Sequence, residues 1–152
     1  ATGVERTVAR SCCCIDCGGR QGGRSAGGKC FSARDLARVG MMLADGGKRE
    51  GHQVISEQWV NDIENNGDQK AWAQGNFYEV FNKRDMKYRS KWYVQQTDAP
   101  LIHAWGIHGQ FIFVDRSKEL SISWFSSQTL PVDQIAMERT FSVIEKIREA
   151  LS

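Results

Sequence analysis

At 152 residues, 41% apolar and 25% charged, the chain can bury one sizeable core and has an ordinary globular composition. Twenty Lys and Arg against 18 Asp and Glu leave a net charge of +2, with no basic stripe between aromatics, so nothing points to nucleic acid. No apolar run approaches the roughly 20 residues of a membrane-spanning helix, and Ala1–Arg10 carries no secretory h-region, which slightly favours the cytoplasm.

Residues 1–27 read as an irregular or disordered lead segment. Gly18, Gly19, Gly22, Gly23 and Gly27 interleave with Arg20 and Arg24, and no hydrophobic period offsets the entropy of ordering them. The glycines spell neither a P-loop nor a dinucleotide fingerprint. Four of the five cysteines, Cys12, Cys13, Cys14 and Cys17, crowd into this stretch. Cys14-x-x-Cys17 has the spacing of one zinc-ligand pair, but a structural site needs a second pair, and only Cys30 and His52 follow. Neither a metal nor another cofactor is therefore expected. A small zinc-dependent regulator built on the cluster is a further reading; it requires bound metal, which a metal analysis tests.

Order begins at Phe31. Ser32 is a good N-cap, and Phe31 with Leu36 falls at the spacing of a hydrophobic staple. Leu36, Val39 and Leu43 form a buried stripe that Gly46-Gly47 ends. Lys48–Gln53 reads as a polar turn. A second helix starts at Ser56, with Ile55 and Val60 as its staple, and stops at Asn66-Gly67. The span 68–85 mixes Trp72, Phe77, Tyr78 and Phe81 with polar residues and reads as loop with short irregular structure.

Strands follow at Tyr88–Val94, Leu101–Ile107, Phe111–Asp115 and Leu120–Phe125, with tight turns at His108-Gly109 and Arg116-Ser117-Lys118. Tight turns between consecutive strands imply an antiparallel meander. The chain closes with a helix near whose first turn Pro131 sits, and Met137, Phe141, Ile144, Ile147 and Leu151 share its apolar face. The expected class is α+β: two helices, the meander, then a covering helix. His103 and the sheet tryptophans Trp92 and Trp124 read as packing residues, and His52 as an exposed turn histidine.

Two segments carry a family resemblance. Phe31-Ser-Ala-Arg-Asp-Leu-Ala-Arg-Val-Gly40, with Gly46-Gly47 and Val54-Ile-Ser-Glu-Gln-Trp-Val60, resembles a helix–turn–helix stretch of class C β-lactamase-like serine hydrolases. Tyr88–Val94, Ala104-Trp-Gly-Ile-His-Gly-Gln110, Phe111-Ile-Phe-Val-Asp115 and Ser126-Ser127 are similar to the closing strands of the branch with 6-aminohexanoate oligomer hydrolases and esterases. Together these cover residues 28–150, and 28–152 reads as the C-terminal part of a β-lactamase or penicillin-binding-protein-like domain.

The resemblance implies acyl transfer on a small-molecule ester or amide. A serine in Ser-x-x-Lys attacks the carbonyl, helped by a tyrosine in Tyr-x-Asn or Tyr-x-Ser. The family's third motif maps onto Trp105-Gly106-Ile107-His108-Gly109. Small residues suit it because a backbone amide must come close to the developing oxyanion. By this resemblance Ile107 supplies an oxyanion-hole amide and Gly106 lets it approach. The second amide is the nucleophile's own, and Trp105, His108 and Gly109 border the substrate.

The nucleophile is missing from this sequence. Ser25 to Lys29 and Ser142 to Lys146 are each one residue too long for Ser-x-x-Lys. In the family that motif precedes the Ser32-type helix, so the missing N-terminal half or another chain is the expected partner, and this chain alone is expected to be inactive. Tyr88-Arg89-Ser90 spells Tyr-x-Ser but follows that helix, so strand packing is its default reading. Ser90, His108 and Asp115 can be combined into a triad on paper only, because triads are defined by geometry. The competing function is a non-catalytic, ligand-binding relative of the same fold.

Overall fold

The computed structural model describes residues 31–151; the cysteine cluster and the lead segment lie outside the described residues. Helix α1 (Ala33–Ala44) starts at its cap, with Ser32 Oγ accepting from the Asp35 amide at 3.1 Å, and ends before Gly46 and Gly47, both at positive φ. The polar turn at 48–53 is a small hairpin, β1 (Lys48–Arg49) with β2 (His52–Gln53). Glu50 and Gly51 both take positive φ there, as a two-residue primed turn requires. Helix α2 (Glu57–Asn65) is capped by Ser56, whose Oγ accepts from Trp59 at 3.2 Å. The span expected as irregular loop holds two short helices, α3 (Gln69–Ala73) and α4 (Phe77–Val80).

Five antiparallel strands then run in sequential order, β3 (Met86–Arg89), β4 (Trp92–Gln95), β5 (Leu101–Gly106), β6 (Gln110–Asp115) and β7 (Leu120–Trp124). The single strand expected over Tyr88–Val94 is a hairpin. Ser90 and Lys91 form its turn with φ of 51° and 73°. Neither is glycine or asparagine, so composition gave no sign of the reversal.

Alternation along the strands divides the core in two. Leu101, His103, Phe111 and Phe113 face one side with Tyr93, under Met137, Phe141 and Ile144 of α5 (Gln134–Ala150) and against Trp72 and Phe81. Val94, Ile102, Ile112 and Val114 face the other, against Leu43 of α1 and Val60 and Ile63 of α2. The architecture is the expected α+β class, with helices on both faces of the sheet.

Helix α5 departs from its expected pattern at both ends. Its cap is Asp133, accepting from Ala136 at 2.9 Å, so Pro131 lies before the helix and not in its first turn. Leu151 is 58% exposed, while Arg148 is buried in the face that Leu151 was expected to extend. Arg148 turns inward because Asp115, 1% exposed at the end of β6, accepts from its Nε at 2.6 Å.

Gly40 lets α1 lie directly on β7. A Cβ there would stand 2.0 Å from Ser121 Oγ and 3.1 Å from Ile112 Cδ1. Alanine favours a helix interior by about 1 kcal/mol over glycine, yet Gly40→Ala is expected to lose a net ~1–3 kcal/mol through overpacking. A urea midpoint at or above that of the parent would show that the helix slides freely.

His103 is fully buried among aromatic rings, stacked on Tyr93 at 5.3 Å between ring centroids and edge-on to Phe141 at 5.2 Å. Burial holds its pKa down to about 3, opposed by the nearby Leu101 backbone and reinforced by the charge of Arg84, and neither ring nitrogen finds a hydrogen-bond partner among the described residues. Because the folded pKa is depressed, this contribution is whole above the unfolded value and is lost as pH falls from about 6.5. Between about 6.5 and 3 the parent should lose up to about 1.4 kcal/mol per pH unit from this residue. His103→Phe should remove that slope, and parallel stability profiles of the two proteins would contradict the assignment.

Candidate active site

The β5–β6 hairpin presents Gly106, Ile107, His108, Gly109 and Gln110 at one end of the sheet. Gly106 pairs with Gln110 as the last rung, and a Cβ on it would stand 3.2 Å from the Gln110 Cβ. Beyond that rung the ladder stops. The amide of Ile107 makes no hydrogen bond to another group among the described residues, and the residue is 59% exposed. A backbone donor that closes no rung and stands at the surface is available to a ligand. Had it been a ladder bond, the oxyanion reading would have had no physical basis.

The rest of the turn is tightly tied. His108 and Gly109 take φ of 60° and 78°. The His108 amide donates to the Pro131 carbonyl at 3.0 Å, and its carbonyl accepts from the Gln128 amide and Ser126 Oγ, each at 3.3 Å. Gln110 Nε2 donates to the His108 carbonyl at 3.3 Å and to the Ser126 carbonyl. Gly109 suits its place, since its φ of 78° strains other residues and a Cβ would press on the side chains of Gln128 and Ser126. These bonds hold the turn against the segment leading into α5. Ser126, which the resemblance placed at the end of the closing strands, is part of that clasp. Gln110 and Gln128 were not singled out from the sequence, where polar residues beside a turn carry no distinguishing signal.

Trp105 is half-buried with its ring edge-on to Phe81 at 5.4 Å and to Phe77 at 6.1 Å. Phe77 also lines a cavity of about 250 Å³ with Trp72, Tyr88 and Tyr93. Tyr88 lies in β3, as its strand reading requires, with its ring 4.7 Å from that of Tyr93. The pKa of Tyr93 is pushed up to about 12, chiefly by burial and further by Tyr88.

The paper triad is not assembled. Ser90 occupies the β3–β4 turn, His108 the β5–β6 turn, and Asp115 the opposite end of β6. Five residue steps of strand put Asp115 roughly 17 Å along the sheet from the hairpin, where it is bound to Arg148. His52 is exposed in β2, apart from the site.

No protein-family profile matches the chain. It is 33% identical over 105 residues to the 6-aminohexanoate-dimer hydrolase of Paenarthrobacter ureafaciens, an alignment covering 69% of this chain and 26% of that protein. The chain thus spans about a quarter of the relative's length. In fold it is similar to a solved, provisionally named 6-aminohexanoate-dimer hydrolase from Bacillus anthracis. There the TM-score is 0.61 at 24% identity, covering 78% of this chain and 29% of that one. The second likeness concerns the fold alone, and it agrees with the first. By sequence and by architecture, the chain is similar to part of the 6-aminohexanoate-dimer hydrolases, and its fold is β-lactamase-like.

Proposed function

We propose that residues 28–152 form the C-terminal part of a serine hydrolase that cleaves small-molecule esters or amides through an acyl-enzyme. The observation that carries this reading is the amide of exposed Ile107 just past the end of β5, which makes no hydrogen bond among the described residues. Gly106 gives that amide its access, and Trp105, His108 and Gly109 border the acyl group. Oxyanion stabilisation of this kind needs a donor that is fixed before charge develops, and the clasp from Ser126 to Pro131 supplies the fixing. The nucleophile and its lysine come from sequence N-terminal to α1 in the longer protein. Exposed Leu130 and Val132 flank the Pro131 carbonyl that holds His108, an apolar rim suited to contact with that part.

A fluorophosphonate probe should label the full-length protein at a serine outside these residues and leave the 152-residue chain unlabelled. Labelling of the short chain would overturn the account of the nucleophile. A full-length protein that resists the probe but binds an amide ligand would favour the non-catalytic relative.

A further inference from the structure

The short helices α3 and α4 and the β3–β4 hairpin enclose a small cavity whose walls are largely aromatic. Trp72, Phe77 and the cross-strand pair Tyr88 and Tyr93 line its volume of about 250 Å³. Asp68, exposed at the cap of α3, is the only charged side chain among the described residues that line it. Its Oδ1 accepts from the amides of Lys70 at 2.8 Å and Ala71 at 3.0 Å. Its Oδ2 makes no hydrogen bond among the described residues, so the carboxylate keeps an open side. Tyr93 is only 7% exposed and stacked on His103, yet its hydroxyl has no hydrogen-bond partner among the described residues. That hydroxyl is not sealed in the interior either, and the cavity is the open space that Tyr93 lines. A buried phenol normally finds a partner. One left without any, at the edge of a cavity, marks a place for the polar group of a ligand.

The walls also select a charge. Ring faces carry the negative side of a quadrupole, and a cation among several rings is attracted by each of them. No Lys, Arg or His among the described residues lines the cavity to hold an anion, and Asp68 favours the opposite sign. An ammonium bearing N–H groups needs an acceptor for each, which walls of carbon do not supply. A quaternary ammonium needs none. We propose that this cavity binds a small quaternary ammonium compound with a short hydroxyl-bearing arm. Its charge lies among the rings of Trp72, Phe77 and Tyr88 beside Asp68, and its hydroxyl bonds the Tyr93 Oη. Nothing in this site depends on the Ile107 amide, so it stands apart from the hydrolase reading.

The test titrates the full-length protein with choline and with its neutral isostere, in which a tert-butyl group replaces the trimethylammonium. Methyl proton resonances report the binding. Choline should bind about five- to thirtyfold more tightly than the isostere, with its methyl signal moved upfield by the rings. Asp68→Asn removes the charge and keeps the helix cap, because asparagine caps as well as aspartate. Phe77→Leu keeps an apolar wall without a ring. Each should weaken choline by about three- to tenfold and leave the isostere nearly unchanged, in proteins that unfold near the parent's temperature. Tyr93→Phe should weaken both probes by about two- to tenfold, since both carry the hydroxyl. Equal affinity for the two probes, or choline binding unchanged in any of the three variants, would overturn the proposal. Binding of neither probe by the folded full-length protein would overturn it as well, because the rest of the chain would then fill the space.

Discussion

Replacing Ile107 by proline in the full-length protein should lower kcat by about two to three orders of magnitude, the usual cost of losing one oxyanion donor. Proline deletes the N–H and little else. Ile107 lies outside the left-handed region, and Gly106 before it is the last strand residue, an extended conformation that a following proline favours. No hydrogen bond within the described residues is lost, because the Ile107 amide makes none. Ile107→Ala is the control, since it trims the exposed side chain and keeps the donor. Turnover of an activated ester by the alanine variant should stay within a few-fold of the parent. KM should move little in the proline variant, because the lost bond strengthens only as charge develops. A proline variant as active as the alanine variant would remove this amide from the mechanism.

The second large effect is on stability. Arg148→Met should cost about 3–5 kcal/mol, because it leaves the Asp115 carboxylate buried without its cation. Asp115 is held from several sides. Arg148 Nε donates at 2.6 Å, Ser117 Oγ at 2.6 Å and the Lys118 amide at 3.2 Å. Arg148 Nη2 also reaches the Ala99 carbonyl at 2.6 Å, so the pair ties α5 both to the end of β6 and to the β4–β5 connection. Burial alone would raise the Asp115 pKa, but the hydrogen bonds from Ser117 and Arg148, with the arginine's charge, outweigh it and hold the carboxyl below its usual value. The sign follows from that direction. The contribution is complete above the ordinary aspartate value of about 3.9 and is lost as pH falls through the lower folded one. Urea denaturation at neutral pH measures the cost. A double substitution, Arg148→Met with Asp115→Leu, should recover much of it by removing the stranded charge. A single variant within about 1 kcal/mol of the parent would show that water reaches the carboxylate as readily as arginine does.

Local chemistry made the helices legible in this sequence. Ser32 and Ser56 each offer a hydroxyl to an amide three residues on, and each is followed by apolar residues at helical spacing. The central strands were legible for a related reason: β6 is covered on both faces, so Phe111–Val114 reads as an unbroken apolar run. The Trp105–Gly109 segment could be singled out through its resemblance, since a small residue beside a reactive carbonyl is a local steric requirement. What escaped the sequence is what depends on distant partners. Ser90-Lys91 turns a presumed strand back on itself without any residue that favours positive φ, so pairing with neighbouring strands must hold it there. Arg148 became a core residue only because folding brings it to Asp115, 33 positions away. The tautomer of His108 is set by a carbonyl 20 residues on, and the freedom of the Ile107 amide by where the ladder happens to end. Caps and apolar periods act over a few residues and are written in the chain; registry, buried charge pairs and the aim of a backbone donor arise only when separate segments meet.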